Sequence, residues 1–259
     1  MTTWHLHDGA PDSPVLMHVP HASVQIPSGV RQHLLLDDAA LALEVDRMTD
    51  SGTAELASAV ADTARVRPWQ FVNALSRLVV DPERFPDDRE EMLAAGMGAV
   101  YTRTSYGKPL RGPDRAHEAE LLATVFEPYA VALTEAVASR LVATDHAVIM
   151  DVHSFPAQAL PYELHTDDRR PQVCLGTDSR HTPAWLVALA QESFAEFDVA
   201  LDEPFRGTYV PLRYFGVDER VLSLMVEVRR DVPPDGPALV AALTALVDGL
   251  PERLGSATP

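Results

Sequence analysis

Residues 221–228 read VLSLMVEV. Apolar side chains stand at odd and even positions alike, so no solvent-facing row alternates with a core-facing one. A strand of that kind is covered on both faces, as inner strands of parallel sheets are. Such a sheet needs helices on both sides, and helices must connect its strands. The flanking sequence supplies them. Residues 34–64 read as helix, a break at Ser51-Gly52, and helix again. Residues 114–142 keep helical spacing through Leu121, Val125, Tyr129, Leu133, Val137 and Leu141, with Pro128 marking a kink or a join. Residues 183–197 and 235–250 read as two more helices. Strand-like runs lie between them: VLMHV (15–19), one or two within 65–88, AVIMD (147–151) and QVCLG (172–176). The expected fold is a single α/β domain over residues 1–259, with a mixed, mainly parallel β-sheet flanked by helices on both faces.

Composition narrows the function. The chain has 259 residues, with 38 acidic against 21 basic side chains and a net charge of -17. That field repels polyanions, so general binding to nucleic acid or to an anionic membrane is not expected. A small anionic substrate remains compatible, because a local arginine pocket overrules a distant field. The single cysteine, Cys174, cannot close an internal disulfide, which fits a reducing cytoplasm. No signal peptide is read at the N-terminus, and no apolar run approaches membrane-spanning length. Neither G-x-S-x-G nor a glycine-rich nucleotide loop is present.

In open α/β sheets, ligands gather beyond the carboxyl ends of the strands. Three such ends carry polar residues. Pro20-His21 follows the 15–19 run, Asp151-Val152-His153 follows Met150, and Glu227 closes VLSLMVEV. Imidazole and carboxylate are the ligands of catalytic zinc, and manganese or iron(II) accept the same set. A lone strand-end histidine is more often a hydrogen-bonded loop residue, and His18 reads as a satisfied core histidine. Glu227 is harder to place. A carboxylate inside an apolar strand costs several kcal/mol unless paired, ligated or protonated. It is either an ion-pair partner of Arg229 or Arg213, or a general base. The stretch 44–50 offers Glu44, Asp46 and Asp50, of which Asp46 and Asp50 share a helix face at i, i+4 spacing, which by spacing alone reads as a solvated acidic helix end. In SRLVVDPER (76–84), Arg77 stands before and Arg84 after an expected strand, flanking Asp81; Arg206 and Arg213 sit in a proline-rich, aromatic loop. Guanidinium groups in such places suit bidentate capture of a carboxylate.

Several blocks together resemble the N-formylglutamate amidohydrolase family. They are VPHAS with IP following, VDRMTD, SRLVVDPER, TRTSYGKPL, DVHSF, GTYVPLRYFG and SLMVEVRRD, in that order, from about residue 14 to 231. The family is similar in fold to the zinc carboxypeptidases and aspartoacylases. The resemblance implies one Zn2+ held by His21, Asp46 and His153, with Asp50 as the alternative acid. It implies Glu227 as general base, Arg84 on a substrate carboxylate, and Arg77 and Arg213 assisting. It implies hydrolysis of the N-formyl or other small N-acyl amide of an acidic amino acid. Two departures stand out: Glu83 occupies the family's Asn position, and ALALE (40–44) replaces a stretch that often carries acids and an aromatic residue. The competing expectations are a carboxypeptidase-like hydrolase of small peptides or peptidoglycan fragments, and a binding module that kept the pocket without turnover.

Overall fold

The computed structural model describes residues 2–166 and 168–256. Its strands are β1 (Trp4–His7), β2 (Val15–Val19), β3 (Trp69–Asn73), β4 (Ala147–Phe155), β5 (Val173–Gly176), β6 (Val199–Leu201) and β7 (Val221–Arg229). They form one sheet in the order β1-β3-β2-β4-β7-β5-β6. The β1–β3 and β5–β7 pairs run antiparallel and the other pairs are parallel. The helices are α1 (Ser28–Arg31), α2 (Asp38–Met48), α3 (Thr53–Thr63), α4 (Arg115–Leu121), α5 (Glu127–Thr144), α6 (Ala184–Ser193) and α7 (Pro237–Ser256).

Alternation along the inner strands explains the layers. Val15, Met17 and Val19 of β2, Val148, Met150 and Val152 of β4, and Leu222, Leu224 and Val226 of β7 meet α3, α6 and α7 through Leu56, Val60, Leu186, Leu243 and Leu246. The opposite rows, Leu16, Ala147, Ile149 and Val221, meet α5 through Tyr129, Leu133 and Val137. Side chains two apart share a face of a strand. The α5 row therefore continues into His18 on β2, into Asp151 and His153 on β4, and into Glu227 on β7. Register sets His18 beside Asp151 and His153 beside Glu227. One face of the sheet is thus apolar under α5 and polar toward the carboxyl ends.

Several expectations change. Asp151 and His153 lie inside β4, which runs on to Phe155, rather than beyond its end. No strand separates Arg77 from Arg84; residues 76–84 form turns, packed through Leu75, Val79 and Val80. The long helix is a join: a π turn, Leu122–Phe126, links α4 to α5, and Pro128 follows directly on that irregular turn. Among the described residues, 115–144 is long and apolar enough to cross a membrane by length and composition, contrary to the sequence reading. Tyr129, Leu133, Ala136 and Val137 pack against the sheet, which accounts for that composition.

The excursion over residues 86–113 is tied down by Glu44. Its buried carboxylate accepts hydrogen bonds from the backbone N–H and the hydroxyl of Ser105, while Arg47 lies 4.2 Å from the Tyr106 ring. Hydrogen bonds to a charged acceptor contribute about 1.5–3 kcal/mol each. Glu44→Ala is therefore expected to lower unfolding free energy by about 3 kcal/mol in urea titrations. A change below 0.5 kcal/mol, on the order of a neutral surface substitution, would contradict this anchoring role.

Candidate functional site

The turn between α2 and α3 decides which acid reaches the site. α2 ends at Met48, Thr49 takes an extended conformation with ψ 132°, and Gly52 opens α3 with φ 84°. Helical spacing stops before Asp50, so Asp46 and Asp50 do not share a face. Asp46 stays on the exposed side of α2, outside the cavity. Asp50 turns inward, and its N–H donates to the carbonyl of His21 at 3.0 Å. The acid placed against the imidazoles is Asp50 and not Asp46.

Three donor atoms converge there. Nδ1 of His21 and Nδ1 of His153 are 3.3 Å apart, and Oδ2 of Asp50 is 3.0 Å from the second and 3.6 Å from the first. All three residues are buried. A tetrahedral ion with bonds of about 2.0–2.2 Å separates its ligand atoms by about 3.3–3.6 Å; the His21–His153 and His21–Asp50 spacings fall in that range and the His153–Asp50 spacing of 3.0 Å is shorter. A hydrogen bond sets the tautomer of His21. Nε2–H of His21 donates to Asp81 Oδ1 at 2.9 Å, which leaves the Nδ1 lone pair facing inward. Nε2 of His153 is 3.2 Å from Asp151 Oδ1 and 3.3 Å from Glu83 Oε2, charge contacts that lie off the N–H direction. Two imidazole nitrogens and a carboxylate oxygen at these distances can share a proton or hold a cation.

Electrostatics agree. Burial opposes ionisation of Asp50, yet hydrogen bonds from His153 and His21 hold its carboxyl far below the usual range. Burial likewise lowers both imidazoles, but the charges of Glu83 and Asp151 carry His153 well above its ordinary value, and Asp81 and Asp50 raise His21. The cluster demands positive charge, which a proton or a metal ion supplies.

Other side chains buttress these. Asp81 is fully buried and also accepts from Arg77 Nη2 at 2.7 Å, from the Tyr101 hydroxyl and from the N–H of Glu83. The remaining Nη1 of Arg77 lies 3.7 Å from Asp50 Oδ1, and Nη2 of Arg230 lies 3.6 Å from the same oxygen. Two guanidiniums on Oδ1 leave Oδ2 for the imidazoles. His18 is the satisfied core histidine: Nδ1–H donates to Asp151 at 2.9 Å and Tyr129 donates to Nε2 at 2.7 Å. Asp81 and Arg230 escaped the sequence reading as site residues. The doublet Arg229-Arg230 held a signal, since a strand ending at Arg229 sends only one of the pair inward.

Glu227 sits on β7 in the same cavity, and its Oε2 has no hydrogen-bond partner. Arg229 pairs with Asp231 at 2.7 Å, and Arg213 is exposed at the cavity mouth with its guanidinium 5.5 Å from the Tyr214 ring. Neither forms an ion pair with Glu227. Burial pushes the Glu227 carboxyl up to about 8. Arg84 lines the cavity and meets Asp81 and Glu90 only at 3.5 Å, long for guanidinium–carboxylate bonds, so donors remain for a ligand. Glu83 turns its carboxylate to the histidines, with Oε1 lacking a hydrogen bond, and not to Arg84. The cavity encloses about 960 Å³.

A mainly parallel sheet that gathers imidazoles, carboxylates and guanidiniums at its carboxyl edge, under a deep cavity, is the layout of an α/β enzyme acting on a small molecule. The chain belongs to the N-formylglutamate amidohydrolase family, whose model matches residues 13–232. Membership places it among the amidohydrolase-type hydrolases. A crystal structure of N-formylglutamate amidohydrolase from Ralstonia eutropha JMP134 matches with a TM-score of 0.80 at 20% identity over 100% of each chain. The gene product Atu2144 from Agrobacterium tumefaciens matches with a TM-score of 0.70 at 18% identity, over 99% of this chain and 96% of its own. At these identities the likeness speaks to the fold. No curated protein matched significantly in sequence.

Proposed function

We propose that this protein hydrolyses the amide bond of an N-acylated acidic amino acid such as N-formyl-L-glutamate, with one divalent ion held by His21, Asp50 and His153. The observation that carries the reading is the convergence of three buried donor atoms at 3.0–3.6 Å in the cavity that holds the unpartnered Oε2 of Glu227. Zinc suits this donor set, and manganese or iron(II) share it.

When bound, the ion supplies Lewis-acid polarisation of the acyl carbonyl and acidifies water. The chain's own residues do the rest. Arg84 takes a substrate carboxylate and aligns the amide, which converts binding into orientation. Glu227 accepts the proton of the attacking water and returns it to the leaving nitrogen. Arg77, anchored by Asp81 and Tyr101, presents positive charge to the oxyanion that develops at the carbonyl. Water adds to the carbonyl carbon, the C–N bond breaks, and the products are a carboxylic acid and a free amino acid. Arg213, at the mouth, steers the anionic substrate inward.

The test is formate release from N-formyl-L-glutamate by protein reconstituted with zinc, manganese or iron(II). Arg84→Ala is expected to lower kcat/KM by about 10- to 100-fold, mainly through KM, with Arg84→Lys intermediate. Absence of turnover with every metal, or faster cleavage of short peptides than of the formyl substrate, contradicts the reading.

A further inference from the structure

We infer that Arg111 is a positioning residue for this reaction: it fixes the path of residues 77–84 and so sets where Arg77, Asp81 and Arg84 stand in the cavity. The inference rests on the hydrolytic reading above and extends it to a side chain that does not line the cavity.

Arg77, Asp81, Glu83 and Arg84 all stand on residues 76–84, which no helix or strand supports. Other segments tie this stretch down. The N–H of Ser76 donates to the carbonyl of Gln25 at 2.9 Å, and that of Asp81 to the carbonyl of Ala99 at 2.8 Å. Between those ties, Leu78 and Val79 are fully buried. Leu78 packs in the apolar cluster of Met48, Met92 and Tyr101, and Val79 in that of Leu75 and Phe126. A carbonyl left without a donor in such surroundings is costly. Arg111 serves both: its Nη2 donates to the carbonyl of Leu78 and, at 3.3 Å, to that of Val79. One nitrogen on two successive carbonyls fixes the peptide planes between Arg77 and Asp81.

The arginine is itself braced. Its backbone N–H donates to the carbonyl of Thr102 at 3.4 Å, Leu34 bridges to it, and the N–H of Leu35 donates to the carbonyl of Leu110 at 2.9 Å. The arrangement is an expensive one. Arg111 is 8% exposed, and its Nε and Nη1 have no hydrogen-bond partner. Both acceptors it does reach are neutral carbonyls. Burial pushes its guanidinium down to about 10, against an opposite pull from the charge of Glu118. An apolar side chain would fill the same space without a buried charge, so packing alone does not call for arginine here. What arginine adds is a donor at the end of a long reach, aimed at the turn. The turn leads straight to the chemistry. Asp81 Oδ1 accepts from Nε2 of His21 at 2.9 Å, Arg77 holds Asp81 at 2.7 Å, and the N–H of Arg84 meets the carbonyl of Asp81 at 3.5 Å. Misplacing such groups by about 1 Å costs about 10²-fold in rate.

The experiment is kcat/KM on N-formyl-L-glutamate for metal-loaded Arg111→Met and Arg111→Lys, each alone and combined with Arg84→Ala, with the affinity for L-glutamate measured by calorimetry on the same proteins. Arg111→Met is expected to lose about 10- to 100-fold, and Arg111→Lys, which keeps the charge and a donor, about 3- to 10-fold. The losses do not multiply. Arg111→Met with Arg84→Ala falls short of the product of the single losses by about threefold or more, because both changes remove the same placed guanidinium. A merely structural role gives the full product and overturns the inference, as does a loss below about twofold in both folded single variants. Where Arg111→Met does not fold, Arg111→Lys carries the same cycle. If the wild type cleaves no N-acyl amino acid, the hydrolytic reading falls and glutamate affinity decides for Arg111. A weakening of about threefold or more in Arg111→Lys that disappears in the Arg84→Ala background keeps the positioning role. An unchanged or undetectable affinity overturns it.

Discussion

Asp50→Asn lowers divalent-ion affinity at least 100-fold, whereas Asp46→Asn leaves it within about twofold. The expectation follows from where the two acids stand. Oδ2 of Asp50 is within 3.0 Å of His153 Nδ1, and Oδ1 is steadied by Arg77 and Arg230. An amide removes the negative charge that offsets the ion and replaces one acceptor by a donor. Even residues that only support a metal ligand are worth about 10- to 100-fold in affinity, and a ligand is worth more. Asp46 is exposed on α2 and meets none of the donors. Metal content after dialysis, followed by competition with a chromophoric chelator, measures both variants. The metal-linked rise in Tm should vanish in Asp50→Asn alone, because an ion that binds only the folded chain stabilises it by mass action. Glu83→Gln is the companion test, since Glu83 with His21 and Asp81, or with His18 and Asp151, also groups within ligand distance. Loss of the ion in Glu83→Gln with retention in Asp50→Asn would move the centre to the Nε2 side of the histidines.

The choice between Asp46 and Asp50 shows where sequence reading stops. Spacing of four is decisive on a helix, but Thr49 breaks the helix after Met48, and a threonine carries no strong stop signal. The inner strands were legible because β2, β4 and β7 are apolar on both parities. Their polar continuations were not: Asp151 and His153 look like a strand end, although alternation alone allows them inside β4 on one face. Glu227 was legible for the opposite reason, a lone charge in an apolar run. SRLVVDPER misled through its Leu-Val-Val core, which packs as a buried turn and brings Arg77 within 2.7 Å of Asp81. Edge strands β1 and β6 are short and partly exposed, so no hydrophobic pattern announces them. Asp81 and Arg230 act across 60 and 180 residues of chain. Only the folded arrangement brings them to His21 and Asp50.

Glu227→Gln is expected to lower kcat about 10²- to 10⁴-fold with the ion retained, the range for removing one general base. A second signature separates this role from a purely structural one. In the metal-free chain, burial raises the Glu227 carboxyl from 4.5 to about 8, with the charge of Asp50 adding and those of His153, Arg77 and His21 opposing. Between those values the folded chain keeps a proton that the unfolded chain releases. Stability from this group is therefore fully present below pH 4.5, declines as pH rises toward 8, and is gone above it. The interval corresponds to about 5 kcal/mol at most. Glutamine mimics the protonated acid and removes that dependence. Metal-free Glu227→Gln should match wild type near pH 4 and exceed it by a few kcal/mol at pH 9. Chemical denaturation of both proteins at several pH values measures this. Bound metal should shrink the difference, because positive charge beside Glu227 favours its carboxylate. Parallel pH profiles would remove the buried proton, and loss of the ion in Glu227→Gln would turn the assigned base into a ligand.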